Sequence, residues 1–220
     1  LFRSWDHPTR GPISPAFFIP IAEQSGLIMN LGLFALRRAF EDSVRWKDLK
    51  IAVNVSAIQL RNKDFIDEVK MLVSRLKVRP SQFELELTEG ILLGDDPETQ
   101  DRLAELRRMG FSLALDDFGT GYSSLSYLQR YPIDKIKIDR SFIANLGLED
   151  EASALVSAIV KLARALKLSV IAEGVETDDQ LDHLNALGCS DVQGYLFSKP
   201  IQASEIDALY ENRHSAMAYA

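Results

Sequence analysis

The residues able to do chemistry in this chain recur at intervals, each near the end of a short apolar run. In order they are Asn54, Glu86, Asp116 with Asp117, Lys137 with Asp139, Glu173 and Gln193. The set is rich in carboxylates and carboxamides, and His7, His183 and His214 fall outside it. Hard oxygen ligands without histidine or cysteine suit Mg²⁺, Mn²⁺ or Ca²⁺ rather than zinc. Adjacent carboxylates such as Asp116 and Asp117 suit a bridging position between two cations, an arrangement used for phosphoryl displacement. Lys137, beside them, is placed to hold or polarise an attacking water. The plainer readings are a helix cap for any one carboxylate and an ion pair with Asp139 for Lys137. Six successive runs ending in this way are more than capping accounts for.

Such side chains need a frame that gathers strand ends. Strands are predicted at Lys50–Ser56, Gln82–Thr88, Phe111–Asp117, Asp134–Asp139, Leu168–Glu173 and Asp191–Phe197. Helix-period segments fall at Phe65–Leu76, Pro97–Met109 and Ala152–Leu166, with Ser14–Gln24 and Leu31–Val44 ahead of the first strand. Asp96-Pro97 reads as a helix start, and Gly110 and Gly188 read as helix stops. Strands alternating with helices argue for a parallel sheet with crossover helices.

Alternation within the strands sharpens this. Phe83, Leu85 and Leu87 share one face, opposite Glu84, Glu86 and Thr88; Ile136 and Ile138 oppose Lys135, Lys137 and Asp139. A parallel sheet buried on both faces has no use for polar stripes. A barrel does, because one face meets the helices and the other converges on an axis, with active sites at the C-terminal strand ends.

Composition sets the outer bounds. The chain has 220 residues, 25 basic and 32 acidic side chains, a net charge of −7 and 46% hydrophobic residues. That supports a sizeable core and excludes disorder. The acidic balance argues against a DNA or RNA polymer as partner, which needs a basic face. No apolar run approaches the ~18 residues that span a bilayer, so no membrane contact by this segment is expected. The single cysteine, Cys189, excludes an internal disulfide and suits a reducing cytoplasm. Tyr210–Ala220 reads as a frayed helix end or tail.

Longer strings now join the single residues. They are Asn54-Val55-Ser56, Glu86-Leu87-Thr88-Glu89, Asp116-Asp117-Phe118-Gly119-Thr120-Gly121-Tyr122-Ser123-Ser124 and Lys135-Ile136-Lys137-Ile138-Asp139. Glu173-Gly174-Val175-Glu176 and Gln193-Gly194-Tyr195-Leu196-Phe197-Ser198-Lys199-Pro200 follow. In this order the chain resembles the EAL-domain cyclic di-GMP phosphodiesterases, over nearly its whole length. The resemblance implies an α/β fold, a modified TIM (β/α)₈ barrel, as a single domain over residues 1–220. It implies hydrolysis of cyclic di-GMP, a bacterial second messenger, to linear pGpG with two Mg²⁺ or Mn²⁺ ions and inhibition by Ca²⁺. Asn54, Glu86 and Asp116 would ligate the first metal and Asp116 and Asp117 the second. Glu173 would complete the second site or orient the water, and Lys137 would activate that water. Glu89 would anchor the loop after Asp117, which carries part of a homodimer contact. Arg3, Asp139 and Gln193 would contact substrate.

The family's eponymous Glu-Ala-Leu string is not in this sequence. Leu1-Phe2-Arg3 resembles its end, so its glutamate and the first two barrel strands are expected upstream. Ser4 interrupts the usual arginine–tryptophan pair at Arg3-Ser4-Trp5. The alternative to an enzyme is an EAL-type domain that binds the dinucleotide, or a protein partner, without cutting. A sensor or cyclase-like domain outside the chain is expected to regulate it, in the cytoplasm or on the cytoplasmic side of a membrane-attached protein.

Overall fold

Helix ends here are set by their caps. Ser14, Ser56, Asp96, Asp139 and Thr177 each turn a side-chain oxygen onto a first-turn N–H, and Gly26, Gly110 and Gly188 close helices in the left-handed conformation. The structure is a computed structural model that describes residues 5–92, 96–121, 128–148 and 150–218. It comprises two compact units.

One unit is built from residues up to Phe83 and from Pro200 onward. A short antiparallel pair, β1 (Trp5–His7) and β2 (Gly11–Ile13), precedes α1 (Pro15–Ser25) and α2 (Ile28–Ser43). Then come β3 (Ile51–Val55), α3 (Ala57–Arg61) and α4 (Phe65–Leu76). Leu36, Phe40, Leu60, Phe65, Val69 and Phe83 are fully buried, and Phe40 meets Phe83 edge-on with ring centroids 4.5 Å apart. Residues from Tyr210, read from the sequence as a helix end or tail, continue the last helix, α9 (Ala203–Ala218). Its anchors explain why. Asp207 accepts from Arg45 and from the Trp46 indole, both at 2.8 Å, and the Tyr210 hydroxyl donates to Asp48 at 3.2 Å.

The second unit, Glu84–Lys199, holds most of the chemistry. Strands β4 (Phe83–Thr88), β5 (Ser112–Phe118), β6 (Lys135–Ile138), β7 (Ser169–Glu173) and β8 (Asp191–Gln193) lie side by side in chain order. Each pairs in parallel with the next. Helices α5 (Pro97–Met109), α6 (Arg140–Ala144), α7 (Asp150–Ala165) and α8 (Asp178–Leu187) make the crossovers. Strand order that never reverses is the barrel arrangement; a doubly wound sheet switches direction at its centre.

The strand predicted to reach Phe197 stops at Gln193. A Cβ on Gly194 would collide with the Val175 backbone, so the chain packs closely on Val175 there. Leu196 and Phe197 donate to Val175 and Gly194, turning the chain away. Cys189 is buried, and burial together with the nearby Asp191 pushes its thiol up to about 11, so it behaves as a core residue. Among the described residues, no helix is long and apolar enough to cross a membrane.

Candidate active site

Parallel register delivers the site from consecutive strand ends. Thr88 is opposite Asp116, Lys137 opposite Ile171 and Glu173 opposite Gln193. Glu86 and Lys137 are almost fully buried, while Asp116 and Glu173 are half-buried. The Lys137 ammonium sits among three carboxylates, 2.6 Å from Glu86 Oε1, 2.9 Å from Asp116 Oδ1 and 2.7 Å from Glu173 Oε1. The ion pair with Asp139 considered for Lys137 is replaced by this cage. Asp139 instead caps α6, accepting the Ser141 N–H at 3.0 Å.

The two consecutive aspartates needed a backbone device. Strict alternation would send Asp116 and Asp117 to opposite faces of β5. Asp117 instead adopts φ = 54°, in the left-handed region, and the β5–β6 register slips by one residue between Leu115 and Phe118. That bulge re-aims the side chain. One carboxylate oxygen each from Asp116, Asp117 and Glu173 then lies within 4.8 Å of the others. Aspartate tolerates left-handed backbone better than most residues, and the Thr120 hydroxyl donating to the Asp117 carbonyl at 2.8 Å secures the turn.

Electrostatics report a shortage of positive charge. Burial raises the pKa of Glu86 despite the neighbouring Lys137. Burial raises Glu173 likewise, with Asp116 and Asp139 adding to it against the pull of Lys137. Asp117 is raised by burial and then by Asp116, Asp139 and Glu173. For Lys137, burial disfavours the charge, but Glu86, Asp116 and Glu173 outweigh it and hold the pKa above the ordinary lysine value. With its carboxylates free of metal, Lys137 is held as an ammonium, a hydrogen-bond donor. At Asp139, burial is outweighed by bonds from Ser141 and the Arg140 backbone, which hold the pKa low. Glu86, Asp116, Asp117 and Glu173 thus outnumber the one ammonium beside them, a surplus of negative charge that suits further cations.

The family model for the EAL domain matches residues 1–200. The chain belongs to the EAL domain family. The bifunctional diguanylate cyclase/cyclic di-GMP phosphodiesterase MucR of Pseudomonas aeruginosa is 42% identical over 92% of the chain, which spans 30% of MucR. A solved structure described as the PaMucR phosphodiesterase in complex with c-di-GMP matches with a TM-score of 0.86, 41% identity, and coverage of 92% of this chain and 84% of that one. Klebsiella pneumoniae BlrP1, solved as a manganese/cy-diGMP complex, gives 0.73 at 30% identity over 80% of this chain and 45% of its own. The chain spans roughly a quarter to a third of the length of the curated relatives it matches. The modified barrel of the EAL structures is thus the fold class of this chain.

Within the EAL domain, the remaining expected residues are distributed as follows. Asn54 is exposed on β3, in the first unit. Gln193 ends β8 beside Glu173 and is exposed. Arg3 and the string Tyr122-Ser123-Ser124 lie outside the described residues. The donor set of Asp116, Asp117 and Glu173 is all carboxylate oxygen, which fits Mg²⁺ or Mn²⁺. The sequence placed Glu84 and Lys135 on these polar stripes without a role in the site; they pair at 2.8 Å. Their opposite charges, each two residues ahead of Glu86 and Lys137, were the available signal.

Glu89, buried just beyond β4, accepts the Gly119 N–H at 3.2 Å and the Gly121 N–H at 3.0 Å through one oxygen. Removing it leaves two backbone donors without that acceptor; both glycines are exposed and water can replace it, so the net loss is about 0.5–1.5 kcal/mol per bond. Glu89→Ala is expected to speed hydrogen–deuterium exchange at Gly119 and Gly121 while the β6 amides stay protected. Unchanged exchange at the two glycines would remove the anchoring role.

Proposed function

We propose that this EAL domain is a metal-dependent phosphodiesterase that hydrolyses cyclic di-GMP to linear pGpG. The observation carrying the reading is the Lys137 cage contiguous with the Asp116–Asp117–Glu173 oxygen cluster. Two relatives solved with the dinucleotide, one of them with manganese, support the substrate and the metal class. Glu86 and Asp116 are assigned to one cation, Asp116 and Asp117 to the other, with Glu173 completing the second site or orienting water. The metal role of Asn54 and the substrate roles of Arg3, Asp139 and Gln193 rest on the sequence resemblance alone.

Two divalent cations, when bound, supply Lewis-acid polarisation of the phosphoryl oxygens and a water of lowered pKa. The chain's own residues then position and stabilise. Lys137 commits its three N–H donors to Glu86, Asp116 and Glu173, so it donates to an attacking water or an equatorial phosphoryl oxygen once one of those carboxylates turns to a cation. The carboxylates orient Lys137 and leave it no freedom to withdraw. Glu89 keeps the loop after Asp117 in place. Preorganised charge of this kind supplies most of the catalysis in phosphoryl transfer. A homodimer, further regulatory domains in the same polypeptide and a cytoplasmic location are part of the proposal, as is inhibition by Ca²⁺.

Incubating the protein with cyclic di-GMP and Mn²⁺, with and without EDTA, tests this. Linear pGpG that disappears with EDTA is the expected result. Binding without product would make the chain a dinucleotide receptor, and neither binding nor product would make it a protein-interaction domain.

A further inference from the structure

A second ion pair runs beneath the Lys137 cage on the same face of the sheet. Lys135 Nζ lies 2.8 Å from Glu84 Oε2 and 3.1 Å from Glu84 Oε1. The glutamate side chain is 9% exposed and the lysine side chain 20%. The strand register makes this pairing a choice. Glu86 is opposite Ala114, and Ala114 is opposite Lys135. Lys135 therefore starts level with Glu86, not with Glu84. Ala114 is the strand residue between them, and two strand spacings put the backbones about 10 Å apart, a gap that extended lysine and glutamate side chains bridge. Lys135 reaches back to Glu84 all the same, and Glu86 is left to Lys137 at 2.6 Å.

We propose that Glu84 is a positioning residue that tethers the Lys135 ammonium away from Glu86 and so keeps the Glu86 carboxylate open to a divalent cation. The inference rests on the metal-dependent reading of the site. Without the Glu84 charge, a partly buried ammonium turns to the carboxylate at its own level, because leaving it unpaired costs more. Glu86 then carries two ammonium groups, and an approaching cation meets repulsion instead of attraction. Ala114 is part of the device, since its small side chain fills little of the space between Lys135 and Glu86.

The test compares the wild-type chain, Glu84→Gln and the double variant Glu84→Gln/Lys135→Met. Mn²⁺ affinity is read without substrate, from the paramagnetic resonance signal of the free ion, and turnover is followed over rising Mn²⁺. Glu84→Gln is expected to weaken Mn²⁺ binding by about 10- to 100-fold, the range for residues that support metal ligands. Its turnover should recover as Mn²⁺ saturates. The double variant should bind Mn²⁺ like the wild type, because the competing ammonium is gone. Wild-type affinity in Glu84→Gln overturns the proposal. So does a double variant as weak as the single one, which would make the pair structural. If Glu84→Gln does not fold, the double variant decides alone, and weakened Mn²⁺ binding there overturns the tether. A wild-type chain that binds Mn²⁺ without making pGpG would sink the phosphodiesterase reading and leave this inference standing; one that does not bind Mn²⁺ would sink both.

Discussion

Replacing Asp116 with asparagine is expected to leave the fold intact and to remove most metal-dependent turnover. The carboxamide is isosteric, and its oxygen still accepts the Asp117 N–H that Asp116 Oδ1 takes at 3.1 Å. Lys137 keeps Glu86 at 2.6 Å and Glu173 at 2.7 Å. The same Asp116 oxygen faces Lys137, so that bond loses its anionic partner but not its acceptor, at no more than about 1–2 kcal/mol. The loss that matters is to the cations. Asp116 belongs both to the lysine cage and to the oxygen cluster with Asp117 and Glu173. Two anionic oxygens on one side chain can serve two cations, and a carboxamide offers one neutral oxygen. Turnover at saturating Mn²⁺ should fall by about 10²- to 10³-fold, as when one preorganised electrostatic partner is removed from a site. Thermal unfolding measured in parallel separates the causes. Wild-type turnover would end the bridging assignment, and a collapse in melting temperature would mean that Asp116 serves the fold first.

What the sequence made legible follows from how locally each feature is encoded. The helices Phe65–Leu76 and Pro97–Met109 appear with the predicted bounds, because Asp96-Pro97 and Gly110 act within one turn of the ends they fix. The parallel strands were visible as period-two alternation, and each of the predicted strand starts falls within one residue of its place. The hairpin of Trp5–His7 and Gly11–Ile13 was not visible, since three-residue strands are too short to show a period. Helix Asp178–Leu187 was marked only by its stop, Gly188; its start was available from Thr177 and Gln180, which form a reciprocal capping box. In the site, strand-end position brought Glu86, Asp116, Lys137 and Glu173 together correctly. The way they meet was not local. The re-aiming of Asp117 depends on a register slip against β6, and the choice of Lys137 among carboxylates depends on β4, β5 and β7 at once. Such features belong to the packing of strands distant in sequence, so no window along the chain contains them.

Lys137→Met should uncouple stability from catalysis through the metal. Methionine fills a similar volume but leaves Glu86, Asp116 and Glu173 facing one another without a cation, and these side chains are only 9%, 13% and 19% exposed. Removing one partner of a buried ionic cluster costs about 3–5 kcal/mol. In a chain of this size that lowers the melting temperature by about 10 °C. The sign against pH follows from the raised Lys137 pKa and from the carboxylates around it. The lysine contributes its full stabilisation below the unfolded-state value of about 10.4; the carboxylates it leaves behind, already raised by burial, take up protons as pH falls, so the deficit of the variant should shrink toward acid pH. Mn²⁺ should then stabilise the variant more than the wild type, because the ion takes over neutralisation that the ammonium otherwise provides. Turnover should not return with it. It should stay down by about 10²- to 10⁴-fold, since methionine has no N–H to donate to water or phosphoryl oxygen. Melting curves of both proteins with and without Mn²⁺, beside rates at saturating metal, distinguish the outcomes. A melting deficit that Mn²⁺ does not narrow would mean the carboxylates do not meet at the metal. Rates restored by Mn²⁺ would mean that Lys137 balances charge and takes no part in the chemical step.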